Sequence, residues 1–388
     1  MVGEKRYDHE TLRTNNRAII FSVIAAGRET SRFELAKTTG ISPATVGAIV
    51  DDLISEGLIR EMRMGGSTGG RRPVIVGLNP KGRTVLSGSL SVSGMSCTLI
   101  DLAGNILARR SIQRRVLGND AAKALVEETA GGLMSDPASK ALIGCVMNVP
   151  GQVRAADSLV LNSPPLKLSE FDLPGILKNL TGTCCQVYKD TDALLLAELR
   201  RGCAKGASNT VYVWVKAGVG MSYQHDSQLL ILPRGGFELG HTASISGGSA
   251  CHCGNTGCIG IELSEAHAIE LYTRRSEGTV VVSDYIEICK VAVRGDRIAL
   301  EVLSFLADTL GSVLANVVNL LNPELIVVGG PLHLAPLEFH NHVRKTVREK
   351  VLWPFKSAAR IEFSALPDDS VLEAMGEEFM KNVLFPLP

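Results

Sequence analysis

The chain has 388 residues, 45% hydrophobic and 21% charged, which is ordinary for a globular protein and long enough for two or three domains. Its net charge is zero, but residues 1–83 carry 13 Lys/Arg against 9 Asp/Glu, a net of +4, which leaves −4 for the rest. A small basic domain on an acidic body points to contact with nucleic acid. The excess gathers between Arg60 and Arg83, where six basic residues meet only Glu61. Nothing resembles a signal peptide, a membrane-length apolar run or a small disulfide scaffold, so a reducing, cytoplasmic and nucleoid-associated setting is expected.

In chain order, Asn15 to Ala26 has apolar residues at helical spacing (Ile19, Ile20, Val23, Ile24), and Gly27 ends it. Ser31-Arg-Phe-Glu34 is an S-x-x-E capping box that opens a short helix through Lys37. Thr39-Gly40-Ile41 forms a turn, and Ser42 caps the next helix with Pro43 at its first position. Val46, Ile49, Val50, Leu53 and Ile54 give that helix one apolar face. Two helices joined by a Gly-bearing turn are the helix-turn-helix pattern. The second helix would enter the major groove, with Ser42, Ala44, Thr45, Gly47 and Ala48 toward the bases. Leu58–Arg63 and Val74–Leu78 read as two strands around a Gly-rich tip, a β-wing. Arg71 and Arg72 at the tip are placed to reach phosphates or a narrow minor groove.

From Thr84 onward strands alternate with helices. Two strands between Val85 and Leu107 surround the turn signal Asp101-Leu-Ala-Gly104-Asn105. A helix follows from Asp120 to about Met134, then a buried strand Ala141–Val149, then a strand Cys185–Tyr188 leading into a helix Thr191–Arg201. The pattern then restarts. Thr210–Val219 is an apolar strand paired with Met221–Pro233. Helices are expected at Glu262–Ser276, Ser283–Val293, Arg297–Val318 and His340–Lys350, a strand at Leu325–Val328, and a last helix from Ser370 to about Val383. The repetition suggests a duplicated α/β body with a ligand cleft between its lobes. The expected division is 1–83 for the winged helix-turn-helix, 84–195 for the first lobe, and 196–369 for the second, with 370–388 returning to the first.

Gly240 to Gly260 places His241, Cys251, Cys253 and Cys258 within eighteen residues. Thiolates and a neutral imidazole are what tetrahedral Zn²⁺ prefers, and glycines between them let the sulfurs converge. Four protein ligands leave no position for a reactive water, so a structural zinc site is expected. His252 lies inside the loop and is not assigned as a ligand.

Gly236-Phe-Glu238-Leu-Gly240-His241 followed by Cys-x-Cys-Gly-x-x-Gly-Cys resembles the zinc signature of the ROK family (repressors, uncharacterised open reading frames and sugar kinases). Leu310 to Gly330 is similar to the family's adenosine-side helix and strand. The resemblance implies a two-lobed, actin-like, hexokinase-type ATPase fold. With the winged helix it looks like the xylose-repressor and N-acetylglucosamine-repressor branch. Family kinases carry an Asp-x-Gly-Gly-Thr phosphate loop. The matching stretch here is Ser91-Val-Ser93-Gly94-Met95, without the acid that helps hold Mg²⁺. The second loop, Gly-Thr-Gly in kinases, reads Lys216-Ala217-Gly218. The catalytic-base segment Asn-Asp-Ala-Asn reads Lys189-Asp190-Thr191-Asp192, which keeps Asp190. Asn162, Glu238 and His241 match further sugar contacts, and His241 would serve metal and ligand together. The Glu expected two residues after Cys258 is Gly260, with Glu262 out of register.

These features lead us to expect a sugar-responsive DNA-binding transcriptional regulator, a repressor of carbohydrate-metabolism genes. It would be a non-enzyme and would act as a homodimer or tetramer on double-stranded operator DNA, with a sugar or sugar phosphate as effector. Two alternatives stand beside it: an ATP-dependent sugar kinase fused to a DNA-binding domain, and a regulator controlled by a protein partner.

Overall fold

The computed structural model describes residues 9–27, 29–64, 73–242, 248–278, 280–355 and 359–385. The chain forms two compact units, Met1–Tyr188 with Leu372–Pro388, and Lys189–Val371.

The first unit opens with α1 (His9–Ala25), β1 (Thr30–Ser31), α2 (Arg32–Thr39), α3 (Pro43–Ser55), β2 (Ile59–Met64) and β3 (Val74–Leu78). The capping box forms at α2: Ser31 accepts from the Glu34 N–H, and the Glu34 side chain reaches back to the Ser31 N–H. Gly40 ends α2 in the left-handed conformation at φ 72°, a geometry that glycine adopts without steric cost. Ser42 caps α3 through the Thr45 N–H, with Pro43 in the first turn. β2 and β3 pair antiparallel as the expected wing, and β1 adds a third strand in the order β1-β3-β2. Ile20, Ile24, Leu35, Val46, Ile49 and Leu53 are buried between the three helices and this sheet.

A larger sheet follows: β4 (Thr84–Ser91), β5 (Gly94–Asp101), β6 (Ile106–Gln113), α4 (Asn119–Leu133), β7 (Leu142–Val149), β8 (Gln152–Val153), β9 (Val160–Ser163), β10 (Leu168–Phe171), α5 (Leu173–Thr181) and β11 (Cys185–Lys189). The sheet order is β11-β7-β4-β5-β6, while β10-β9-β8 form a separate small ribbon. The two strands expected between Val85 and Leu107 are three. The chain already turns at Val92-Ser93 and pairs Ser91 with Gly94, and a second turn follows at Asp101. α4 lays Leu125, Val126 and Leu133 into the core of this sheet.

The second unit holds α6 (Asp190–Arg201), β12 (Thr210–Val215), β13 (Val219–His225), β14 (Gln228–Leu229), α7 (Ile259–Glu262), α8 (Glu265–Arg275), α9 (Tyr285–Val293), α10 (Arg297–Leu321), β15 (Leu325–Gly329), α11 (Leu337–Lys350) and β16 (Arg360–Phe363). Its sheet runs β14-β13-β12-β15-β16. Taking each sheet's strands in chain order, both read 3-2-1-4-5. The first two strands are antiparallel, and the fourth runs parallel beside the first. This repeat is the duplication expected from the sequence. The hairpin tip lies at Lys216–Gly218, so the first strand ends at Val215 rather than Val219. α10 is, by length and composition, apolar enough to cross a membrane, contrary to the sequence expectation. Leu306, Leu310, Leu314 and Val318 instead sit in the core of this unit, so the helix is a buried one.

α12 (Asp368–Leu384) begins in the second unit and ends in the first. Ser87 Oγ donates to the Leu372 carbonyl at 2.6 Å, which ties the helix to β4. Just past it, Phe385 is 5% exposed within the winged-helix core, its ring 4.5 Å from that of Phe21.

Candidate functional site

On the winged helix, Ser42, Ala44 and Ala48 are exposed along one side of α3, and Thr45 and Gly47 are half-buried. Ser42 Oγ accepts from the Thr45 N–H at 3.2 Å and lies 2.8 Å from Thr45 Oγ1, so both hydroxyls are engaged in the cap. What α3 offers outward is a small-residue surface that allows close approach. Arg63 on the wing pairs with Glu29 at 2.9 Å. Arg71 and Arg72 lie outside the described residues.

In the second unit, Asp190 is the first residue of α6, and its Oδ1 accepts the Thr191 N–H at 2.8 Å. Burial pushes its carboxyl up to about 6. The Thr191 N–H and the Lys189 ammonium hold it back, and the negative charges of Asp192 and Glu238 add to the rise. Asp190 and Glu238 are therefore electrostatic neighbours. Glu238 is exposed and precedes the short turn Leu239–His241.

A polar cluster that the sequence reading did not assign surrounds Asp190. Lys189 is buried, and its Nζ donates to the carbonyls of Met221 (2.7 Å) and Gly236 (2.8 Å). Asp192 is buried and accepts from the Ser222 hydroxyl. Burial raises the Asp192 carboxyl, and Lys189 and Ser222 oppose the rise. The visible signal was that both flanks of Asp190 had become charged with opposite signs. Lys189 bonds both β13 and the segment leading to Glu238, which fixes that segment against the start of α6.

The metal-type cluster forms as expected. The ligand atoms of His241, Cys251, Cys253 and Cys258 all lie within 4.8 Å of one another. His241 Nδ1 is 3.7 Å from Cys251 Sγ, and Cys253 Sγ is 3.6 Å from Cys258 Sγ. Four ligands arranged tetrahedrally at about 2.0–2.3 Å from one ion are separated by about 3.5–3.8 Å, which these two separations match, and the spread of up to 4.8 Å would need a small inward closure. The Cys253 thiol is drawn down to about 7, chiefly by the Asn255 backbone N–H, while desolvation pushes Cys258 up to about 12. His252 stacks edge-on against His241 at 5.1 Å. Glu262 is buried, with His267 Nε2 at 3.5 Å, and so takes a structural place. A Cβ on Gly260 would stand 2.9 Å from the Gly240 carbonyl oxygen, so a Glu at this position would press on the backbone that carries His241.

Two loops and one strand residue complete the set of expected positions. Ser91 Oγ bonds the Gly94 carbonyl at 3.2 Å and lies 3.0 Å from Ser93 Oγ, so it closes its own turn. At the tip Lys216-Ala217-Gly218 the Lys216 carbonyl accepts from the Glu265 N–H, which ties the tip to α8. Asn162, exposed on β9 of the first unit, reaches Gln152 Oε1 at 3.3 Å.

The ROK family profile matches residues 91–375. The chain belongs to the ROK family. Residues 12–60 match the winged helix-turn-helix DNA-binding family. The chain is 26% identical to the xylose repressor of Caldicellulosiruptor bescii, with 94% of this chain and 95% of that one covered. It is also 26% identical to the DNA-binding transcriptional dual regulator NagC of Escherichia coli, covering 92% of this chain and 91% of NagC. A solved ROK family transcriptional regulator, a homolog of the E. coli MLC protein, superposes with a TM-score of 0.83 at 25% identity. That match covers 96% of this chain and 100% of the regulator. A ROK glucokinase from Streptomyces griseus, solved with glucose and AMPPNP, superposes at 0.65 with 18% identity. It covers 76% of this chain and 98% of the glucokinase and shares the fold of the ROK body. This ROK chain therefore matches regulators over nearly its whole length and kinases over the body.

Proposed function

We propose that this ROK protein is a sugar-responsive transcriptional repressor that has given up phosphoryl transfer. The observation that carries the reading is a winged helix on a ROK body whose first phosphate loop has Ser91 where the kinases hold an acid. Transfer of a phosphoryl group depends on holding metal and neutralising phosphate charge, and a hydroxyl spent on its own turn supplies neither. Asp190, Glu238 and His241 of the second unit are the ligand-binding set; Asn162 joins the proposal through the family resemblance alone. Asp190 would accept a hydrogen bond from a sugar hydroxyl. Zn²⁺ held by His241, Cys251, Cys253 and Cys258 would be structural and would fix the segment carrying Glu238 and His241. A homodimer or tetramer would present paired α3 helices to a two-fold operator, each with Ser42, Ala44, Thr45, Gly47 and Ala48 toward the bases, and Arg71 and Arg72 would reach phosphates or a narrow minor groove. A sugar that binds the DNA-competent and DNA-incompetent states with different affinities would shift the population between them.

The test is a titration of the full chain against a site selected from random duplex DNA, at stated salt, with and without a panel of monosaccharides and their phosphates. A sugar that changes the DNA affinity at least tenfold supports the reading, and no response to any of them overturns it. A coupled ADP-release assay over the same panel decides the kinase alternative: turnover above the rate without sugar would restore it.

A further inference from the structure

A second cationic feature lies in the second unit and shares no residue with the ligand set or the metal cluster. α11, the end of α10 and the edge strand β16 border an open cavity of about 400 Å³. Among the described residues Arg344, Arg348 and Arg360 line it, with Glu362 as the single carboxylate, so these lining side chains carry a net formal charge of +2. Its floor is apolar and includes Val347 and Phe355.

Arg344 is held in place. Its Nε donates to the Ile361 carbonyl at 3.1 Å, its guanidinium stands 5.7 Å from the Phe363 ring centre, and Glu362 is 3.9 Å away. Arg348 sits one turn further along the same helix face, where like charges repel. The negative end of α11 accounts for a cation in its last turn, and Arg348 occupies that turn. It does not account for Arg360, which arrives on a different element and has no carboxylate partner among the described residues. Of the three guanidiniums only Arg344 meets Glu362, and the exposed Arg348 and Arg360 have no carboxylate partner among the described residues, so the face keeps an excess of positive charge. The apolar floor demands that the occupant also carry hydrocarbon, and the volume fits a small molecule rather than a bare ion. The strand direction separates this cavity from the Gly329-Gly330 end of the sheet. β16 runs parallel to β15, and Arg360 pairs with Leu325 at the opposite end.

We propose that this cavity is a binding site for a small organic anion, an apolar body bearing a phosphate or carboxylate group held by Arg344, Arg348 and Arg360. Trp353, 80% exposed and two residues before Phe355, is a reporter beside it. The chain's other tryptophan, Trp214, lies on β12.

The experiment is a titration of the full chain with phenyl phosphate, read by tryptophan fluorescence and by calorimetry. Benzoate, inorganic phosphate and benzyl alcohol serve as comparison probes. Phenyl phosphate should bind saturably, at least tenfold more tightly than inorganic phosphate or benzyl alcohol, and more weakly as salt rises. Arg348→Gln with Arg360→Gln should weaken it at least tenfold without moving the thermal midpoint, and Trp353→Phe should remove the fluorescence change but leave the heat. If that double variant misfolds, Arg360→Gln alone should weaken phenyl phosphate binding at least threefold. Equal binding of all four probes would overturn the assignment, as would unchanged phenyl phosphate affinity in the folded Arg variant. Silence toward every small anion with a response to polyglutamate would give the face to an acidic protein segment and equally overturn it.

Discussion

Replacing Asp190 with Asn should make this protein more stable at neutral pH while abolishing its sugar response. The carboxyl is raised from 3.8 to about 6, chiefly by burial. A shift of about two units corresponds to about 3 kcal/mol of penalty on the charged form. Asp190 keeps partial access to water, so about 1–2 kcal/mol is the realistic gain after screening. Asn preserves the bond from the Thr191 N–H, and Asp192 still faces Lys189. For a unit of this size the midpoint should rise by roughly 2–8 °C. The sign with pH follows from proton counting. Between about pH 4 and 6 the folded state holds a proton that the unfolded state has lost, so wild-type stability falls as pH rises through that window. Above it the penalty is constant, and below it wild type and variant converge. Thermal scans at pH 5.0 and pH 7.5 should show the variant's advantage shrinking at the lower pH, and the variant should gain nothing from a sugar that raises the wild-type midpoint. A lower midpoint for Asp190→Asn at pH 7.5, or an advantage that does not vary with pH, would refute the account of a carboxylate strained for ligand binding.

Further outcomes follow from the other sites. Elemental analysis should find about one zinc per chain. Cys253→Ser should lose the metal and lower the midpoint by several degrees; a metal-free wild type of unchanged stability would remove the zinc reading. Ala44→Glu or Ala48→Glu on the exposed side of α3 should weaken DNA binding at least about tenfold by placing a carboxylate against the duplex. Unchanged gel-shift affinity in either variant would move the DNA interface away from α3. Phe385→Ala should cost the winged helix about 3–5 kcal/mol, seen as faster amide exchange in α1–α3, while sugar binding by the second unit persists. Equal protection in both proteins would mean that the aromatic contact is incidental.

The elements legible in the sequence were those written in local chemistry. Ser31 and Glu34 announce a capping box, Gly40 a left-handed cap and Ser42-Pro43 a helix start, and each appears at its residue. The metal cluster was equally readable because four ligands and their glycines lie in one loop. β8, β9 and β10 escaped because strands of two to four residues are too short to show an alternating pattern, and β16 escaped for the same reason. The turn before Gly94 matches a phosphate-loop position in sequence, which hides the strand boundary there. At the proposed ligand set, Asp190 was legible in the chain but its surroundings were not. Lys189 acts through carbonyls at Met221 and Gly236, 32 and 47 positions away, and no local pattern reports such bonds.

The burial of Phe385 against Phe21 has a consequence for how the molecule is made. The winged helix, synthesised before the body, keeps an open slot in its interior until a side chain 364 positions later leaves the ribosome. A nascent winged helix therefore waits, incompletely packed, while the whole body is translated. A polypeptide stalled or clipped before that aromatic would carry a loosened head, so truncated products should read operators poorly.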